Sequence, residues 1–183
     1  MAGIVVFDGE TQKSFQEVGG RNNFRALGIS VAVAYHYDSN EYVTYWETGI
    51  EKLIKAIGSS SLVIGFNSRN FDYAVLAAYP GGERVAEAPT LDLMEEVTKI
   101  LGHRLSLESL ATATLNAPKA GSGLQALDWW KKGDKESLAK LEYYCKEDVR
   151  LTKDLYEYGK KEGRLYYQDR KMPGEKAMVH VSW

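Results

Sequence analysis

The strongest constraint on the fold is a long helical pattern that begins at Asp134, a favourable N-cap residue, and ends near Gly159. Apolar side chains recur along it at spacings of three and four residues, which places them on one face of a helix. These positions are Leu138, Leu141, Cys145, Thr152 and Leu155. A helix with one apolar face must cover that face with another layer of the protein, so a layered globular fold is expected.

A carboxylate interrupts this apolar face, because Asp148 occupies one position of the stripe. Burying an unpaired ionised carboxylate is costly, so Asp148 is expected to be protonated, salt-bridged or bound to a metal ion. An ion pair with Arg150 or Lys153 would require the side chain to bend around the helix. Tyr144 lies one turn earlier, and its hydroxyl projects from the neighbouring part of the same face.

The remaining pattern predicts strands, then strand-to-helix crossings, then helices. Apolar runs bounded by turn residues predict strands at 4–7, 29–37, 41–46 and 62–66, and helical spacing is found at 50–57, 71–76, 91–101 and 107–115. The tail, 164–183, has room for one more strand. This order is typical of an α/β fold with a mixed sheet flanked by helices. At 183 residues, the chain is expected to form a single domain over residues 1–183.

Composition excludes several classes of protein. The chain is 44% hydrophobic and 26% charged, like an average globular protein, and its longest apolar run, 29–35, is too short for a membrane span. No signal-peptide features precede the first strand, and the single cysteine cannot form an internal disulfide, so a cytoplasmic location is expected. The net charge of −2 gives no bulk attraction for nucleic acid.

A second group of acids follows the first predicted strand. Asp8 comes directly after the run 4–7, and Glu10 comes two residues later. If the strand continues, both side chains lie on one face of the sheet, where they repel each other unless cations intervene. Each acid alone has a plainer interpretation. Asp8 and Glu10 fit the turn after a strand, and Asp72 fits the first turn of a helix, where its charge favours the helix dipole.

The joint pattern favours a metal centre. A first strand, a strand-to-helix turn and a late helix can bring their side chains to one end of a sheet. The four carboxylates of Asp8, Glu10, Asp72 and Asp148 suit hard divalent cations. Two Mg²⁺ or Mn²⁺ ions roughly 3.5–4 Å apart would neutralise them and hold a phosphodiester. The bound ions would also supply the attraction for phosphate that the composition lacks.

Three short motifs resemble those of the DEDD 3′–5′ exonucleases, a superfamily with a ribonuclease H-like fold. They are Phe7-Asp8-Gly9-Glu10-Thr11, Gly65-Phe66-Asn67 with Phe71-Asp72, and Tyr144-Cys145-Lys146-Glu147-Asp148. The third motif fits the Tyr-x-x-x-Asp form of the tyrosine subtype. The stretches 12–20, 124–130 and 155–159 are similar to a poorly characterised bacterial branch, some of whose members are linked to helicases.

The resemblance implies a mixed sheet flanked by helices and a two-metal hydrolysis of phosphodiester bonds at single-stranded 3′ ends, releasing nucleoside monophosphates. Asp8, Glu10 and Asp148 would hold one ion, Asp8 would share a second, and Asp72 would act on it through water. Tyr144 would orient the attacking water, because a phenol is a poor general base at neutral pH. Thr11 with Glu10 would meet the terminal 3′ hydroxyl, and Asn67 would position the strand end.

The resemblance favours DNA over RNA and implies a helicase as a partner. Gly9 departs from the family, because this position usually carries a branched or long apolar residue. The missing side chain is expected to weaken local packing by about 0.5–1 kcal/mol while removing no ligand. A catalytically weak nucleic-acid-binding or adaptor module of the same fold is therefore the alternative function, and a metal-dependent endonuclease is a third.

Overall fold

A five-stranded mixed sheet lies at the centre of this computed structural model, which describes residues 3–118, 121–168 and 175–183. Its strands are β1 (Ile4–Thr11), β2 (Ile29–His36), β3 (Glu41–Trp46), β4 (Leu62–Gly65) and β5 (Thr90–Asp92), in the spatial order β3-β2-β1-β4-β5. The first three strands form an antiparallel meander, and β4 and β5 run parallel to β1. The predicted α/β fold with a mixed sheet is confirmed.

Helices follow and flank the strands. They are α1 (Ile50–Gly58), α2 (Asp72–Leu76), α3 (Leu93–Leu101), α4 (Leu107–Leu115), α5 (Gly123–Lys132) and α6 (Lys135–Glu162), with 3-10 turns at Phe24–Ala26, Glu47–Gly49 and Gly82–Glu87. The helix predicted at 91–101 begins later, at Leu93, because the preceding residues pair with β4 as strand β5. Among the described residues, no helix combines the length and apolar character needed to cross a bilayer.

Two apolar cores lie on opposite faces of the sheet. One contains Val6, Val31 and Val33 with the buried residues of α4 and α6, and the other contains Phe7 and Ile29 with those of α1 and α2. Because side chains alternate along a strand, β1 directs Val6 and the residues two and four positions later towards α6. The two acids of the first motif therefore share the α6 face.

The long helix forms as the pattern predicts. Asp134 caps its start by accepting a hydrogen bond of 2.9 Å from the amide of Ser137. The end predicted near Gly159 is wrong by about one turn, because α6 continues to Glu162 and stops at Gly163 in the left-handed conformation (φ 67°). Gly159 serves packing instead, since an added Cβ there would lie 2.5 Å from the ring of Trp183.

The tail forms two strands rather than one. Residues Arg164–Gln168 (β6) and Lys176–His180 (β7) pair as a two-stranded antiparallel sheet, separate from the main sheet. Thr114 of α4 anchors it through two hydrogen bonds of 2.8 Å, one to the carbonyl and one from the amide of Tyr166.

Candidate metal centre

Strand β1 carries its acids beyond the end of its parallel neighbour. Pairing with β4 stops at Val6, opposite Ile64, whereas pairing with β2 continues to Thr11. The strand therefore does not end at position 7 but continues through Asp8 and Glu10. These two side chains lie on one face of the sheet, as the sequence predicts for a strand that continues. The register shifts between Glu10 and Thr11. Such irregularities re-aim side chains next to functional sites.

Helix α6 brings the third carboxylate to the same place. Asp148 lies on the buried stripe with only 2% of its surface exposed. The thiol of Cys145 donates to the backbone carbonyl of Asp8 at 3.4 Å and so ties α6 to β1 beside the site. Carboxylate oxygens of Asp8, Glu10 and Asp148 lie within 4.8 Å of one another. We call these three residues the acid group.

The acid group has the chemistry of a divalent-cation site. Its donors are all carboxylate oxygens, the ligands that Mg²⁺ and Mn²⁺ favour. Cys145 is not a ligand of this kind, because burial first, and then the charges of Asp8, Glu10 and Asp148, raise the pKa of its thiol well above the ordinary value. The thiol therefore stays protonated and acts as a hydrogen-bond donor.

Asp72 lies apart from the acid group. It is the first residue of α2, 3% exposed, and it packs beneath β1 on the face opposite α6. A Cβ at Gly9 would lie 3.2 Å from its Oδ1. The missing side chain at position 9 was expected only to weaken packing, but it also leaves room for the Asp72 carboxyl, which a Cβ at this position would press against.

Burial changes the protonation of Asp72. Desolvation is the largest cause that raises its pKa to about 7, and the nearby carboxylate of Asp92 adds to the rise. The backbone amides of Asp72 and Gly9 oppose it. Near neutral pH, a large share of the Asp72 side chains is therefore uncharged without bound cations.

This shift predicts a pH-dependent stability of the metal-free protein. Between about pH 4 and pH 7 the native state holds a proton on Asp72 that the unfolded state has released, so the free energy of unfolding falls as pH rises. Urea denaturation in EDTA should show Asp72→Asn removing this decline, with up to about 4 kcal/mol gained at the upper end. Asp128→Asn, at an exposed position of α5, is the control. An unchanged slope in Asp72→Asn would contradict the prediction.

A buried acid that the sequence analysis missed shapes the turn before α2. Asp92, 1% exposed, accepts hydrogen bonds from the backbone amides of Asn67 at 2.8 Å and Arg69 at 3.1 Å. It also caps α3 through the amides of Met94 and Glu95. The available signal was an aspartate near the start of the helical pattern 91–101, since aspartate is typical of an N-cap.

Asn67 adopts the left-handed conformation (φ 65°) in this turn. Its side-chain oxygen accepts a hydrogen bond of 3.0 Å from the guanidinium of Arg104, an exposed residue between α3 and α4. Sequence reasoning singled out Asn67 but not Arg104, because nothing in the local pattern links positions 37 residues apart. The contact places the positive charge of Arg104 beside Asn67, the residue predicted to position the end of a nucleic-acid strand.

Tyr144 lies one helical turn before Asp148 and is 1% exposed. The ring of Trp129 in α5 packs edge-to-face against it, with centroids 6.1 Å apart. Trp129 and Trp130 are both partly buried and pack against the core on the α6 side.

A pocket of about 390 Å³ opens beside Glu10. One wall comes from the segment 12–28 between β1 and β2, and the other from the first turns of α5. We call it the α5 pocket, and its lining includes Glu10, Thr11, Phe15, Phe71, Leu124 and Leu127. Half-buried Thr11 donates its hydroxyl to the carbonyl of Lys13 at 3.0 Å. The apolar lining lies directly next to the acid group.

A mixed sheet in this order, with carboxylates converging from β1 and a late helix, defines a nuclease-like α/β protein. The family model of the RNase H superfamily matches residues 5–159, and the chain belongs to that superfamily. No protein with a curated description matches the sequence.

Solved structures show the same fold at low identity. The family B DNA polymerase of the hyperthermophilic archaeon Pyrobaculum calidifontis is 16% identical, with a TM-score of 0.64 over 87% of this chain and 24% of that one. The zinc-bound E. coli ExoI–ssDNA complex is 13% identical, with a TM-score of 0.50 over 88% of this chain and 41% of that one. The chain thus spans a quarter to two-fifths of the length of these proteins.

Proposed function

We propose that this protein is a metal-dependent 3′–5′ exonuclease that removes nucleoside monophosphates from single-stranded ends, with DNA the favoured substrate. The observation that carries the proposal is the convergence of Asp8, Glu10 and Asp148 within 4.8 Å. Three carboxylates this close, one of them nearly fully buried, become tolerable when divalent cations offset their repulsion. The similarity of the fold to that of an exonuclease solved with single-stranded DNA supports a nucleic-acid substrate.

The acid group would hold two Mg²⁺ or Mn²⁺ ions. When bound, the ions would supply Lewis acidity to water and charge stabilisation to the phosphate. Asp8 stands on the central strand, where it could serve both ions. Asp148 is fixed by the rigid α6 helix, and Asp72 contributes charge from beneath β1. The Tyr144 hydroxyl, one turn before Asp148, would orient the attacking water, and this role would place the chain in the tyrosine subtype.

The α5 pocket would receive the terminal nucleoside. Its rings, Phe15 and Phe71, offer surfaces on which a base can stack, and stacking of this kind contributes about 1–3 kcal/mol per base. Thr11 with Glu10 would contact the terminal hydroxyl, while Asn67 and Arg104 would hold the end of the nucleic-acid strand. We also propose that residues 1–183 act as one domain in the cytoplasm, with a helicase as partner.

Removing the hydroxyl of Tyr144 tests its role in orientation. Tyr144→Phe keeps the ring that packs on Trp129, so we expect stability within about 1 kcal/mol of the wild type. The single-turnover rate should fall by roughly 10- to 100-fold with little change in oligonucleotide affinity, because only the placement of the nucleophile is lost. An unchanged rate would exclude contact between this hydroxyl and the reacting groups.

The proposed activity is tested with a 5′-labelled oligonucleotide in Mn²⁺ and in Mg²⁺, as DNA and as RNA. A ladder that shortens from the 3′ end supports the proposal. Internal cuts would indicate an endonuclease instead. An Asp148→Asn variant, which keeps the shape of the side chain, should leave the substrate intact and excludes a contaminating nuclease.

A catalytically weak binding or adaptor module is the second candidate function. The placement of Asp72 favours this candidate. Of the four carboxylates in the three motifs, that of Asp72 lies outside the acid group and packs against Gly9. In the assay above, this candidate predicts a mobility shift of the oligonucleotide without degradation in either metal.

A further inference from the structure

One ion pair joins the two walls of the α5 pocket. Lys131 of α5 places its Nζ 2.8 Å from Oε1 of Glu17, which lies on the segment between β1 and β2. Leu127, one helical turn before Lys131, lines the pocket, and so does Ser14, three residues before Glu17. The pair therefore stands at the margin of the pocket and connects its walls.

The Glu17 end of this ion pair is held in place by its own wall. The second carboxylate oxygen of Glu17 accepts hydrogen bonds from the amide and the hydroxyl of Ser14, at 2.8 and 2.9 Å. Lys131 first, and then Ser14, lower the pKa of Glu17 to about 2, so its carboxylate stays charged at any neutral pH. Glu17 is a pre-positioned acceptor for a cation from the opposite wall.

The wall that carries Glu17 is itself firmly packed. The rings of Phe15, Phe24 and Phe71 meet edge-to-face, with centroids 5.3 to 6.0 Å apart. The side-chain amide of Gln12 donates to the carbonyl of Ile29 at 2.9 Å and fixes the start of the segment to β2. A nucleic-acid strand that enters the pocket therefore meets firmly packed walls. At the margin, the Glu17–Lys131 ion pair connects these walls.

We propose that the Glu17–Lys131 ion pair makes the α5 pocket selective for strand ends, because a strand that continues past the terminal nucleoside has to separate the pair, whereas an end does not. This inference rests on the proposed exonuclease function and adds a specificity-determining pair to it. The side chains are 39% and 51% exposed, so water and salt weaken the pair and the barrier is modest.

The test compares linear and circular single-stranded DNA of the same sequence, in binding and in cleavage. Binding is measured by competition in Ca²⁺, a probe that does not depend on turnover, and cleavage in Mn²⁺. The wild type should prefer the linear strand in both. Lys131→Met should reduce that preference by about two- to five-fold, the range that an exposed ion pair supports. Lys131→Arg retains the cation and should keep the wild-type preference.

A matched control breaks a similar ion pair elsewhere. Lys140 on α6 pairs with Glu136 at 2.6 Å and is 54% exposed, and Lys140→Met should behave like the wild type. Raising NaCl from about 0.05 M to about 0.5 M should lower the linear-to-circular ratio in the wild type but not in Lys131→Met.

Three outcomes would overturn the inference. The first is an equal linear-to-circular ratio for the wild type and Lys131→Met. The second is weaker binding of both substrates by Lys131→Met with the ratio unchanged, which would make Lys131 a simple phosphate contact. The third is no preference in the wild type. If the wild type prefers linear DNA in Ca²⁺ but degrades neither substrate in Mn²⁺, the proposed exonuclease function fails while the end selectivity stands.

Discussion

Asp8→Asn is expected to abolish nuclease activity, with a loss of at least about 1,000-fold in the rate of phosphodiester cleavage. Asp8 belongs to the acid group and lies on the strand that pairs with both β2 and β4. An amide in its place removes a negative charge from the group and a carboxylate oxygen that would help to hold the divalent cations. The loss should appear in single-turnover assays at saturating Mn²⁺.

The same variant should be at least as stable as the wild type in EDTA. The change removes repulsion among three close carboxylates, so the melting temperature of the metal-free protein should stay equal or rise. Added Mn²⁺ should raise the melting temperature of the wild type but not of Asp8→Asn, because the ion stabilises only a state that binds it. Asp128→Asn, on the exposed surface of α5, should match the wild type in each assay.

A marked loss of metal-free stability in Asp8→Asn would show instead that Asp8 is a structural residue. Full activity in this variant would remove the acid group from the mechanism altogether. These two results are distinguishable, because the first is measured by denaturation and the second by cleavage.

Asp92→Ala is expected to cost about 3 kcal/mol or more in the free energy of unfolding. The substitution leaves four backbone amides without their acceptor, two in the turn before α2 and two at the start of α3. Loss of a helix cap costs about 1 kcal/mol, and each amide that stays buried and unsatisfied adds about 1–3 kcal/mol. Urea denaturation at neutral pH measures the change.

The turn at Asn67 links this loss of stability to the site. Without Asp92, the left-handed conformation of Asn67 loses the acceptor that fixes it, so the amide of Asn67 and its contact with Arg104 should shift. We expect weaker binding of the strand end even at a temperature where Asp92→Ala is folded. Asp134→Ala, which removes the exposed cap of α6, should destabilise less and leave strand binding unchanged. An equal loss in both variants would contradict the special role of Asp92.

The elements predicted from the sequence are those with a strong local pattern. The meander, the strand before α2, the capped helix α4 and the stripe of α6 all follow from apolar spacing and from cap residues such as Ser106 and Asp134. Leu91 and Asp92 of β5 were predicted as the start of a helix, because so short a strand is defined by pairing with β4 and not by its own sequence.

The candidate site was predictable in part for a similar reason. An acid on an apolar stripe or after an apolar strand is visible in sequence, which is how Asp8, Glu10 and Asp148 were found. Asp92 and Arg104 act through partners more than twenty residues away, and Glu17 and Lys131 are ordinary surface residues until the fold brings them together. The tight fit of Asp72 against Gly9 likewise depends on how α2 meets β1.

The acid group is built on the central strand and on the longest helix. Strand β1 pairs with β2 on one side and β4 on the other, and α6 covers one of its faces. Local fluctuations that fray loops do not reach such a strand, so its amide protons should exchange with solvent only when the whole molecule unfolds. The carboxylates are thus held rigidly before any cation arrives, and the exposed Glu17–Lys131 pair at the margin of the α5 pocket is left as the part that adjusts to a ligand.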